Sequence, residues 1–343
     1  MTIDAPAAGP GGPWPVAALD LGGTKIAGAL VEADGTLLRP VRRPTPRLGT
    51  AEQIAAAVTE VLELLAGDPR WPDAAAVGIG SAGPVDRERG TVSPVNIPAW
   101  RDYPLAEHVR RVTGRPVTLA GDGVAVAAAE HWLGAAAGFD NALCIVVSTG
   151  VGGGLVLGGR LHLGRTGNAG HIGHISVDQL GPRCPCGGRG CVELYTSGTS
   201  IARWYREQGG AERDAAAIGV AARHGEPLAV AAYDRAARAL AAGIAATATL
   251  VEIEVAVIGG GVAQSGEVLM EPLRRHLGEY AALPFAADVR VLPAKLGTEA
   301  GLVGAAALVA GPAPTPLPGQ ATDAAGAPTE VRGATLAEAL QVE

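Results

Sequence analysis

Apolar residues fall into short unbroken runs that end in glycine, separated by longer stretches with apolar positions three and four apart. This alternation predicts an α/β chain. Val16 to Leu21 and Ile26 to Glu32 read as two strands joined by a glycine turn, a hairpin. Ala51 to Ala66 repeats its apolar residues at helical spacing. Buried strands are expected at Ala75 to Ile79, ending in Gly80-Ser-Ala-Gly-Pro84, and at Pro116 to Ala120, which runs through Gly121-Asp122 into an Ala-rich helix from Val124 to Leu133. A second strand–glycine–strand unit follows, with Ala142 to Ser148, the glycine run Thr149 to Gly154, and Leu155 to Leu157. Beyond a cysteine cluster come helices, a strand at Val255 to Ile258, the triplet Gly259-Gly260-Gly261, and a helix from Glu299 to Leu308. A hairpin with a glycine turn thus occurs twice, which implies a duplicated α/β unit with a cleft between the copies.

Composition narrows the class. Apolar residues make up 48% of the 343 positions but aromatics only 3%, so the cores must be built from Ala, Val, Leu and Ile; the length allows two α/β domains. The formal net charge is −7, and no basic block is present to follow a phosphate backbone or an anionic membrane, which argues against nucleic acid as a partner. The apolar run Ala239 to Val251 is too short to cross a bilayer, and Asn141 to Gly159 is broken by glycines. The first fifteen residues lack a cationic start and an apolar core, so no secretory signal is read there and a cytoplasmic location is expected. Residues 1–15 and 312–343, rich in Pro, Ala, Gly and Thr, read as disordered tails.

Asp20-Leu-Gly-Gly-Thr-Lys25 sets a carboxylate at a strand end, two glycines in the turn, then a hydroxyl and an ammonium. The backbone at Gly22 and Gly23 can approach phosphate oxygens closely, Thr24 adds a donor, and Asp20 can hold a hydrated Mg²⁺. Taken alone, the hexapeptide also fits an ordinary hairpin turn. The run Ser148 to Gly154, with Thr149, Gly150 and Gly152, has the same composition at the matching place of the second unit. Two such loops facing one cleft would grip a polyphosphate, as in ATP, from both sides. Gly259, Gly260 and Gly261 offer either a flat ledge for an adenine ring or a plain strand-to-helix turn.

Three of the four cysteines, Cys184, Cys186 and Cys191, cluster shortly after His174, a pattern that in a cytosolic chain favours metal over disulfides. One imidazole and three thiolates form the closed tetrahedral set of a structural Zn²⁺; reduced buried thiols are the alternative. Cys144, inside an apolar run, reads as a buried strand residue. Phosphoryl transfer to an alcohol needs a carboxylate that accepts the hydroxyl proton, and Asp122, where a strand passes into a helix, suits that task. A helix N-cap is the other use of an aspartate there.

Across residues 16–310 the chain resembles the ROK family of repressors and sugar kinases, most of all its bacterial glucokinase branch. The resemblance rests on Asp20 to Lys25, Gly78 to Val85 with Asn96 to Trp100, Asp122, Thr149 to Gly154, Gly167 to Gly198, Gly259 to Val262 and Gly297 to Ala306. It implies an actin-like (ribonuclease H-like) α/β fold of two domains with a cleft between them. The smaller domain would comprise 16–121 and the segment near 300–311, the larger 122–299 with the zinc site. It also implies ATP and Mg²⁺, a structural Zn²⁺, Asp122 as the base, and a homo-oligomer, dimer or tetramer. Acceptor contacts fall by the same resemblance to Gly80, Gly121, His171, His174 and Glu193.

Around the acceptor the sequence departs from the family. The usual Asn-Asp-Ala-Asn is Gly121-Asp122-Gly123-Val124, the usual Gly-Glu-x-Gly-His is Gly170-His171-Ile172-Gly173-His174, and Ala82 replaces a proline. Phosphate loops, metal ligands and base are kept while two readers of sugar hydroxyls change. That combination implies a kinase for a hexose-like acceptor other than plain glucose, such as a C7-cyclitol of the valiolone type or an aminodeoxyhexose. An ordinary glucokinase is the alternative. A sugar-sensing regulator is the remote one, because the phosphate strand starting at residue 16 leaves no room for a helix-turn-helix before it.

Overall fold

The computed structural model describes residues 14–310. Apart from Trp14 and Pro15, the tails read from the sequence lie outside the described residues. Trp14 stacks on Trp132, ring centroids 5.3 Å apart, so packing starts before the first strand.

Residues 16–121 build a five-stranded sheet. β1 (Val16–Leu21) pairs antiparallel with β2 (Lys25–Val31), and β2 with β3 (Leu37–Pro44). β3 carries Arg39, Pro40, Arg42, Arg43 and Pro44 and lies at the sheet edge. Prolines and charges suit an edge strand, and for that reason the hydrophobic pattern does not reveal it. α1 (Ala51–Ala66) starts at a capping box between Thr50 and Gln53, worth about 1 kcal/mol, and buries Ile54, Val58, Val61 and Leu62 against the sheet. β4 (Val77–Ser81), a small hairpin of β5 (Val85–Asp86) and β6 (Thr91–Val92), α2 (Leu105–Thr113) and β7 (Val117–Gly121) complete the order β3-β2-β1-β4-β7.

α3 (Asp122–Trp132) leads into the second sheet, begun by the antiparallel β8 (Ala142–Val147), β9 (Val151–Leu157) and β10 (Arg160–His162). The cysteine loop follows. Then come α4 (Glu193–Thr196), α5 (Gly198–Glu207), α6 (Ala215–Arg223), α7 (Pro227–Val251), β11 (Val255–Gly259), α8 (Glu267–Tyr280), α9 (Pro284–Ala287) and β12 (Arg290–Pro293). The order β10-β9-β8-β11-β12 repeats that of the first sheet strand for strand. The two hairpins visible in the sequence are therefore the starts of two copies of one topology. Among the described residues no helix is long and apolar enough to cross a membrane.

The glycines expected in a loop at 152–154 lie instead inside β9. They are needed there because other backbone packs directly on the strand. A Cβ on Gly153 would stand 2.7 Å from the carbonyl oxygen of Gly170, and one on Gly154 2.9 Å from that of Gly123. The second glycine loop is consequently short, Ser148 to Gly150.

Between the sheets lies α3, whose run Gly-Val-Ala-Val-Ala-Ala-Ala gives it small residues on both faces. Ala127 joins the core of the second sheet, and Ala129 packs with Ala300 and Val303 of α10 (Ala300–Ala310), the helix that returns to cover β1 and β4. A Cβ on Gly304 would overlap the carbonyl of Ala125, and one on Gly78 in β4 would overlap that of Ala305. Glycine thus lets β4, α10 and α3 stack with backbones in contact.

Candidate active site

Parallel register brings the first group of residues together. Asp20 stands opposite Gly80 across β1 and β4, and Gly80 opposite Ala120 across β4 and β7, so all three lie near the carboxyl ends of adjacent strands. In open α/β sheets that end is where ligands bind. Asp122 follows as the first residue of α3. It is not the N-cap, which is Gly121, but its Oδ1 accepts the N–H of Gly123 at 2.7 Å and so serves the helix start as well.

Asp122 is exposed at the cleft, yet the protein packed about the start of α3 partly withdraws its carboxyl from water. That withdrawal from water, with the like charge of Asp20, pushes its pKa up to about 6. Burial also raises Asp20, against the opposing pull of Lys25 and Arg42. α10 reaches this point too: a Cβ on Gly301 would lie 2.7 Å from the Asp20 carboxyl.

The first loop is closed by Gly22 donating to the carbonyl of Lys25 at 3.0 Å, and by Thr45 Oγ1 donating to the carbonyl of Gly22 at 2.7 Å. Thr24 is exposed at its tip. Asn96 lies so close that a Cβ on Gly23 would overlap its side-chain amide. The sequence offers no motif chemistry for Asn96; only its place in a segment that resembles the ROK family points to it.

The second loop is held from behind. Ser148 and Thr149 give their carbonyls to Gly198 N–H (2.7 Å) and Thr199 Oγ1 (3.0 Å) at the start of α5. Gly259 ends β11, and Gly260 has φ 91°, where a Cβ would overlap the carbonyl of Val147. Gly261 has no atom within 4 Å of a Cβ position and presents bare backbone beside the loop.

The third group is built by the cysteine loop. The donor atoms of His174, Cys184, Cys186 and Cys191 all lie within 4.8 Å of one another, with no disulfide. Cys186 Sγ and Cys191 Sγ are 3.7 Å apart, and His174 Nδ1 is 3.8 Å from Cys184 Sγ. With metal–thiolate bonds of 2.3 Å, the edge of a tetrahedron measures about 3.8 Å, so the donor set fits a tetrahedral ion. Gly190, at φ 62°, passes so close to the Asp178 carbonyl that a Cβ would overlap it.

His171 stacks on His174 with centroids 5.4 Å apart, and its ring edge faces Gly83, 3.9 Å from a Cβ placed there. Burial, with His174 alongside, holds His171 below the usual imidazole range, and Glu193 opposes this. Glu193 Oε2 accepts the N–H of Val151 at 2.8 Å. Gly152 faces Asp122, with 3.6 Å from its Oδ1 to a Cβ position, and so forms a wall beside it within β9. At Gly121 nothing lies within 4 Å of a Cβ position, which leaves open space beside Asp122.

Comparison with known proteins bears on this arrangement. The profile of the ROK family matches residues 16–311. A glucokinase of Thermotoga maritima is 37% identical over 85% of this chain and 96% of its own. An N-acetylmannosamine kinase of Yersinia pseudotuberculosis is 36% identical over 84% and 96%. The structure of a ROK family glucokinase from Streptomyces griseus in complex with glucose and AMPPNP superposes with a TM-score of 0.76 at 36% identity, covering 86% of this chain and 98% of that one.

Proposed function

The chain belongs to the ROK family, and on that footing we propose that it is an ATP-dependent kinase acting on the exocyclic CH₂OH of a hexose-like acceptor. One observation carries the reading: Gly80, which stands opposite Asp20 across β1 and β4, has the Cα of Asp122 3.9 Å from its Cβ position, so the two carboxylates are gathered at the carboxyl ends of adjacent strands. The first and second glycine loops cradle the phosphates, and Gly261 with Gly260 forms the adenine ledge. Asp20 would hold Mg²⁺, and the ion when bound would supply charge neutralisation for the phosphoryl group. Asp122 accepts the proton of the acceptor hydroxyl as its oxygen forms a bond to the γ-phosphorus and the bond to ADP breaks. With a pKa of about 6 it is mostly ionised at neutral pH. His174, Cys184, Cys186 and Cys191 hold a structural Zn²⁺, and the loop so fixed presents His171, His174 and Glu193 to the acceptor.

For the acceptor itself, the space at Gly121 and the imidazole at His171 support a substrate that differs from glucose on the ring face these residues line, a C7-cyclitol such as a valiolone or an aminodeoxyhexose. Identity to the Thermotoga maritima glucokinase favours the plainer reading, an ordinary glucokinase. A coupled ADP-release assay over glucose, N-acetylmannosamine, amino sugars and C7-cyclitols decides between them. Glucose is expected to give a kcat/KM at least ~10-fold below the best acceptor, and Gly121→Asn to narrow that gap, since an added hydroxyl partner of this kind is worth about 1 kcal/mol or more. Glucose turning over as well as any other acceptor overturns the altered specificity. No ADP release with any of them overturns the kinase reading.

A further inference from the structure

Glu130 is fully buried near the end of α3. Its Oε2 accepts the N–H of Ala135 at 2.8 Å, both its oxygens accept that of Lys295 at 3.1 Å, and Oε1 accepts that of Leu296 at 3.0 Å. No cation pairs with it among the described residues. Lys295 and Leu296 belong to the segment that leads from β12 to α10, the second crossing between the domains, whereas α3 is the first. The space for the carboxylate exists because residue 134 is glycine; a Cβ there would overlap Oε2.

A carboxylate suits this place because it offers two acceptor oxygens and no donor to three converging N–H groups. Glutamine has the same shape but one acceptor, and it turns an NH₂ toward backbone donors. The clamped elements end at the reacting groups. α3 begins with Asp122, and Gly301 of α10 lies against the Asp20 carboxyl.

We propose that Glu130 is a positioning residue for phosphoryl transfer: by tying the two interdomain crossings together it sets how Asp122 and Asp20 face each other across the cleft. The proposal rests on the kinase reading above. α3 is about 16 Å long, so a tilt released at its far end displaces Asp122. Displacements near 1 Å cost roughly 100-fold in rate.

The test is steady-state kinetics of Glu130→Gln with ATP and the best acceptor of the panel, per folded protein as judged by circular dichroism. Gly134→Ala is the second variant; it keeps the charge and pushes the carboxylate off its donors. The expected result is a fall in kcat of ~10-fold or more with the KM for ATP within about threefold of wild type. A folded variant with kcat within about twofold of wild type overturns the proposal. So does a fall in kcat matched by an equal rise in the KM for ATP, which marks general loosening of the cleft. Asp122→Asn assayed in parallel separates the two readings, because full turnover in that variant sinks the base assignment and leaves the Glu130 result to stand by itself.

Discussion

Glu193 Oε2 accepts the backbone N–H of Val151 at 2.8 Å, and this bond ties the cysteine segment to the strand that follows the second glycine loop. A Cβ on Gly150 would stand 2.8 Å from the same oxygen. The cysteine segment, Glu193 and the second glycine loop are therefore one mechanical unit.

Loss of the metal should accordingly affect both substrates. The purified protein is expected to contain about one Zn²⁺ per chain. Cys191→Ser is expected to release it, lower the melting temperature, and raise the KM for ATP as well as for the acceptor, because Glu193 and Val151 shift together. Metal analysis with kinetics checks this, and a zinc-free wild-type protein of full activity refutes it.

Asp122→Asn is expected to lower kcat by about 10²- to 10⁴-fold, the usual worth of a positioned general base, with little change in ATP binding. In the wild type kcat/KM should fall as pH drops through about 6, because the carboxyl must be ionised to take the proton and burial has raised its pKa to that value. A flat profile from pH 5 to about 8 would contradict the assignment.

The same shift has a consequence for stability. The carboxyl's ordinary pKa is 3.8 and its folded value about 6, so between these pH values the folded protein keeps a proton that the unfolded chain releases. Stability from this group is therefore fully present below pH 3.8 and is lost as pH rises through about 6. Asp122→Asn, measured without nucleotide, should be more stable than wild type above pH 6 and equal to it near pH 3.8. The carboxyl is open to the cleft and partly screened, so the gain is set at about 1 kcal/mol.

Two glycines should separate packing from ligand contact. Gly304→Ala forces a methyl into the carbonyl of Ala125 and should cost about 3 kcal/mol or more in urea unfolding. Gly261→Ala meets open space, so its stability should stay within about 0.5 kcal/mol of wild type while the KM for ATP rises, because the methyl stands on the adenine ledge. An unchanged KM removes the ledge from the nucleotide site.

Most of what the sequence determined by itself is local. The hairpin turn at Gly22 and Gly23, helix α1, the cluster of His174, Cys184, Cys186 and Cys191, and the strand-to-helix step at Asp122 are each written within a few residues. They are legible because turn chemistry, helical period and metal-ligand spacing act over that range. Tertiary structure decided the rest. Strand β3 has no buried apolar run and exists because β2 offers an open edge. Gly152 to Gly154 read as a loop until α3 and the 170 segment are laid against them, whereupon they form a strand whose missing side chains are filled by other backbone. Glu130 looks like an ordinary helix-surface acid, and only the return of the chain at Lys295 and Leu296 brings it buried donors. β3 pairs with its neighbour β2 but carries no apolar pattern that reveals it, whereas the donors that hold Glu130 come from 165 and 166 residues further along the chain, beyond the reach of any short-range pattern.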